Sequence, residues 1–84
     1  MKWELRIQKA AQKELSRISI KYQRKIVGVF PIIADDPFVG KNLQGRLSGS
    51  YSYPVPPYRI IYKMYKKMLV VVIIKIGHRQ GIYN

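Results

Sequence analysis

The last eleven residues, 74–84, read IKIGHRQGIYN and hold the one histidine of the chain, His78, next to Arg79 and shortly before Tyr83. Upstream, the segment YRIIY carries Arg59. An imidazole, two guanidiniums and a phenol suit cleavage of an RNA phosphodiester without a metal. That reaction needs a base for the 2′-hydroxyl proton, an acid for the leaving 5′-oxygen and cations for the phosphate. The 2′-hydroxyl is then the nucleophile, and the products are a 2′,3′-cyclic phosphate and a 5′-hydroxyl. His78 serves as acid or base, Arg59 and Arg79 clamp the phosphate through their planar forks, and tyrosines stack or donate a proton. Lys41, Arg46, Lys63 and Lys75 are the candidate RNA contacts. Other chemistries find little support. The acids, Glu4, Glu14, Asp35 and Asp36, all precede residue 37, which leaves paired carboxylates and a carboxylate-held magnesium site poorly founded. One histidine and no cysteine exclude an ordinary zinc site and any disulfide. No phosphate-cradling glycine motif is present. No cofactor or metal is expected.

Charge points the same way. Sixteen Lys and Arg against four acids give a formal net charge of +12. Such an excess repels itself and is usually kept for a bound polyanion. Nucleic acid is the first candidate, an anionic membrane surface the second and an acidic protein the third. At 84 residues and 48% hydrophobic composition, one domain spanning residues 1–84 with a compact core is expected. The N-terminal stretch shows no apolar leader, and the apolar run 68–74 is too short to span a bilayer. A soluble, cytoplasmic protein is the expectation.

The elements that position these residues follow from periodicity. Trp3, Leu5 and Ile7 alternate with charged residues, which predicts a short strand over 2–7. Ala11, Leu15 and Ile18 then fall on one face of a helix over 8–17. Ser19 is placed to cap a second helix with the stripe Tyr22, Ile26, Phe30, widened by Val29 and Ile33. Pro31 should kink or break it, and Asp36-Pro37 should end it. The basic outer faces of these helices read equally well as ordinary solvated surface. After a Gly/Ser/Asn-rich loop over 37–50 come three strands. Three prolines make Ser50–Val55 an edge or broken strand, while Tyr58 to Met64 and 68–76 form a hairpin around Lys66-Lys67. The order is β-α-α-β-β-β: an α+β fold, an antiparallel sheet with an N-terminal helical hairpin packed on one face. A tight hairpin turn sets Arg59 opposite about Ile74. Gly77 permits a bulge or bend, so that Arg59, His78 and Arg79 meet at one end of the sheet.

The stretch LSGSYSY…YRIIYKMYKKMLVVVIIKIGHRQGIY resembles the C-terminal half of the RelE/ParE superfamily of bacterial and archaeal toxins, and the helical hairpin and DDPF loop agree in position. The resemblance implies the toxin of a type II toxin–antitoxin system. In RelE-like members the toxin enters the ribosomal A site and cleaves mRNA; a cognate antitoxin wraps around it, so a toxin–antitoxin hetero-oligomer is implied. In ParE-like members the target is DNA gyrase. For this chain the resemblance makes Arg59 a phosphate contact, Arg79 the stabiliser of the transition state or leaving oxygen, and Tyr83 the residue that stacks on or orients the nucleotide. His78 stands where some relatives place an acid–base histidine. The expected partners are mRNA, ribosomal RNA and an antitoxin, and no membrane. Two departures bear on this. Ser52 and Pro54 stand where basic residues are expected, and Lys41 is the nearest equivalent of a glutamate base found in some relatives. A gyrase-binding toxin and a structural RNA-binding module are the alternative readings.

Overall fold

The computed structural model describes residues 3–78. A five-stranded sheet has the order β1-β5-β4-β3-β2, with β1 Glu4–Ile7, β2 Lys41–Asn42, β3 Ser50–Val55, β4 Tyr58–Tyr65 and β5 Val70–His78. Three helices lie between β1 and β2: α1 Lys9–Ser16, α2 Ile20–Gly28 and α3 Phe30–Asp35. This is the expected α+β architecture, with two additions. The two-residue β2 extends the sheet, and β1 joins β5 in parallel while β2 to β5 run antiparallel. The helices carry the chain from one edge of the sheet to the other, which is why the first strand ends up beside the last. Among the described residues no helix is long and apolar enough to cross a membrane.

The helical stripes bury as their spacing predicts. Ala11, Ile26 and Ile33 are wholly buried, and Leu15, Ile18, Val29 and Phe30 pack against them. Pro31 has no N–H to continue α2, so the chain breaks at Val29 and restarts as α3. Ser19 occupies the N-cap of α2 without a side-chain cap bond. Under the helices the sheet contributes Val55, Ile60, Tyr62, Val71, Ile73 and Ile76. The Tyr62 hydroxyl donates to Pro37 O at 2.7 Å and accepts from Gly40 N at 3.0 Å. It ties the loop after α3 to the sheet, and a Cβ at Gly40 would collide with it.

The opposite face has a small apolar patch, Leu43 and Ile61 with Leu47 and Ile74, over which the loop through Gly45–Leu47 folds. Beyond Ile7, paired with Ile73, β1 ends, and among the described residues no strand covers the rest of that edge of β5. There Glu14 Oε1 accepts the Ile76 N–H at 3.0 Å, so the only acid of α1 and α2 is spent on a backbone donor.

One irregularity decides how β5 presents its side chains. The turn between Tyr65 and Val70 takes four residues, with Leu69 at φ 54°, and a bulge lies between the Ile61–Lys75 and Tyr62–Ile73 pairs. Strict alternation after Val71 and Ile73 would send Lys75 into the core. The extra residue, Ile74, re-phases the strand, so Ile73 and Ile76 both face the helices. Ile74 and Lys75 go to the helix-free face, Ile74 into the patch with Ile61.

Candidate functional site

Arg59 lies near the start of β4, on the helix-free face with Ile61 and Lys63, since Tyr58, Ile60, Tyr62 and Met64 face the helices. It pairs with Pro54 on one side and Gly77 on the other. A tight hairpin turn would have made Ile74 its partner. The four-residue turn and the bulge together shift the register by three positions.

Its guanidinium is half-buried and donates from Nη1 to Ser52 Oγ at 3.3 Å. Ser52, the position where the resemblance calls for a basic residue, is wholly buried. A lysine ammonium there would be forced out of water, whereas the serine hydroxyl steadies Arg59 by taking one donor of its guanidinium. Pro54 is exposed beside it and contributes no donor.

The register sets other cations on the same face. Lys63 pairs with Ser50 and Val72, two pleats from Arg59, which is about 13 Å along the strand. Lys75 pairs with Ile61, and Lys41 pairs with Ser52 from the short edge strand. Arg46 is exposed in the turn whose Leu47 rests on the same face. At the far edge, Glu4 and Arg6 pair with each other, and the Arg6 guanidinium holds the Glu4 carboxyl below its ordinary range. The face is therefore strongly positive, and Glu4 is already matched.

His78 goes elsewhere. It pairs with Tyr58 and sits on the helix side, its ring 5.9 Å from the Tyr58 ring at 77°. Arg59 and His78 thus share one end of the sheet but occupy opposite faces. They do not form the one cluster that hairpin arithmetic suggests, because the bulge at Ile74, not a bend at Gly77, fixes the phase of the last residues. Arg79 and Tyr83 lie outside the described residues.

Tyr58 in turn touches Tyr22 of α2 edge-to-face at 5.4 Å. Lys21 and Lys25 place their ammoniums 5.7 and 5.4 Å from the centre of the Tyr22 ring. Periodicity assigns Tyr22 to the apolar stripe; its flanking lysines are the signal that it stands at a rim. Neither the Ser52–Arg59 bond nor the Glu14–Ile76 contact has a signal in the sequence: the first depends on the register of the β3–β4 hairpin and the second joins residues far apart along the chain.

The ParE toxin family of type II toxin–antitoxin systems, parDE, matches residues 5–83. The chain belongs to the RelE/ParE toxin superfamily. It is a toxin of a type II toxin–antitoxin system. The toxin RelG of Mycobacterium tuberculosis is 28% identical over 86 residues, spanning 100% of this chain and 99% of that one. The toxin–antitoxin complex RelBE2 of the same organism contains a chain that superposes with a TM-score of 0.86 at 26% identity, covering 94% of this chain and 100% of that chain. A chain of the archaeal RelE–RelB complex of Pyrococcus horikoshii gives a TM-score of 0.81 at 24% identity over 96% and 99% of the two chains, a likeness of fold.

Proposed function

We propose that this toxin is a ribosome-dependent, metal-independent endoribonuclease that cuts mRNA in the A site by attack of the 2′-hydroxyl on the adjacent phosphate. The observation that carries the proposal is the helix-free sheet face. It presents Arg59, braced by a buried serine, beside Lys63, Lys75 and Lys41. Arg59 grips the phosphate, and Arg79 stabilises the charge that develops in the transition state. Tyr83 orients the nucleotide. RNA crossing the end of β5 meets Arg59 on one face and His78 on the other, which places His78 at the edge of the cut rather than beneath it. Holding the mRNA in the A site supplies much of the rate through positioning, so a sparse catalytic set suffices. The partner in the resting cell is a cognate antitoxin, consistent with the complexes in which the similar chains were solved. It covers the basic face by folding on it.

A second reading has its own support: the matching family is described as ParE, and neither Ser52 nor Pro54 supplies a cation. A gyrase-binding toxin would need no nuclease site. Controlled expression of the wild type and of Arg79→Ala, with primer extension on cellular mRNA, separates the two. Growth arrest with cuts inside translated codons, lost in Arg79→Ala, is the expected result. Arrest without cuts and with gyrase-dependent DNA damage would establish the second reading instead.

A further inference from the structure

We infer that the helix side of the same sheet end is a second nucleotide-binding subsite, a track running from His78 over Tyr58 and Tyr22 to Lys21 and Lys25. It takes single-stranded RNA flanking the cut. The inference rests on the nuclease reading and extends it from the phosphate that is cleaved to the path of the strand beyond it.

Three observations converge. The rings are continuous, with His78 on Tyr58 at 5.9 Å and Tyr58 on Tyr22 at 5.4 Å. Tyr22 and Tyr58 are half-buried and His78 is exposed, so the aromatic surface opens to solvent at the end of β5. Next, Lys21 and Lys25 are like charges four residues apart on one helix, an arrangement that destabilises the helix. Both ammoniums are nonetheless drawn to the same ring, at 5.7 and 5.4 Å, and α2 contains no acid to compensate them. Finally, Glu14, the one carboxylate on α1 and α2, is turned inward onto the Ile76 N–H. Aromatic faces beside cations that no acid of their own helix offsets match what single-stranded nucleic acid requires: a platform for a base and ammoniums for its phosphates. Because the bulge sets His78 on this side and Arg59 on the other, a strand bent over the end of β5 engages both sites at once.

The test is binding of a fluorescent oligouridine to the full chain across a salt series. Lys21→Gln/Lys25→Gln is compared with Lys9→Gln/Lys13→Gln, which removes the same charge from α1. If the track binds RNA, the first pair flattens the salt slope by about 0.7 per lysine and the second leaves it nearly unchanged. Tyr22→Leu keeps the charge and should weaken binding about fivefold through lost stacking, with the slope intact. Equal losses in the two lysine pairs, or none in either, overturn the track. Ribosome-dependent cleavage measured alongside separates the failures. Cutting that persists while binding follows total charge alone sinks the track and spares the nuclease. A wild type that neither binds nor cuts RNA sinks both.

Discussion

Arg59 and Ile60 are neighbours in β4 and belong to opposite faces of one sheet. Ile60 is wholly buried beneath the helices. Arg59 is half-buried on the other face, among cations and held by one hydroxyl. The first face closes the core with apolar side chains and one satisfied phenol. Among the described residues, the second carries a small apolar patch where the loop through Gly45–Leu47 rests on Ile61 and Ile74. Its charges repel one another and cost the fold stability. On the proposed function, the pleat therefore assigns stability to the buried residues under the helices and the phosphate at the cut to the open face, one residue apart. Substitutions of the buried helix-side residues should be read in unfolding experiments and those on the open side in activity.

The sharpest break of that division would come from Ile60→Ala. Emptying a fully buried site should cost about 2–5 kcal/mol in chemical denaturation, while cleavage per folded molecule stays at the wild-type level. A specific loss of cleavage without loss of stability would show that the faces are not separate.

Tyr62→Phe should come next. It removes the donor to Pro37 O and leaves Gly40 N–H without its acceptor, a loss of about 1–3 kcal/mol. This residue also carries a pH signature. Burial pushes the Tyr62 phenol from 10.0 up to about 12, so the folded chain holds that proton more tightly than the unfolded one. The associated stability is whole below about pH 10 and is lost as pH rises toward 12. The phenylalanine variant should lose that part of the alkaline decline, which urea titrations at pH 8 and pH 11 would measure.

Deletion of Ile74 should have the smallest effect. Removing the bulge residue restores strict alternation without moving Lys75, Ile76 or His78 to a different face. The chain should still fold, weakened by about 1–2 kcal/mol because Leu43 and Ile61 no longer have the Ile74 side chain to pack against. Complete unfolding would mean that the bulge does more than set the phase.

That bulge also marks where the sequence stops being legible. The four longer strands, the helical stripes of Ala11, Ile26 and Ile33 and the break at Pro31 follow from local periodicity and proline chemistry; the two-residue β2 does not, and by pairing with β3 it makes an inner strand of Ser50–Val55, which its prolines mark as an edge. The face of each residue after Ile73 depends on register. Register depends on turn length and on one inserted residue, and neither has a strong local signal in an unbroken run of Val and Ile. One clue is present: Lys75 falls in core phase with Val71 and Ile73, and a lysine in that phase calls for a bulge. The parallel pairing of β1 with β5 and the capture of Ile76 N–H by Glu14 join residues more than sixty positions apart. No periodicity reports such contacts. The basic character of the open face is legible from charge, whereas the separation of His78 from Arg59 is not.

The most direct test of the division between faces is the rate of ribosome-programmed mRNA cleavage by purified Arg59→Ala beside the wild type, with melting temperatures taken on the same samples. The expected result is a fall of about 100-fold or more in rate with an unchanged melting temperature. Wild-type cleavage by Arg59→Ala would contradict it and remove the helix-free face from the chemistry.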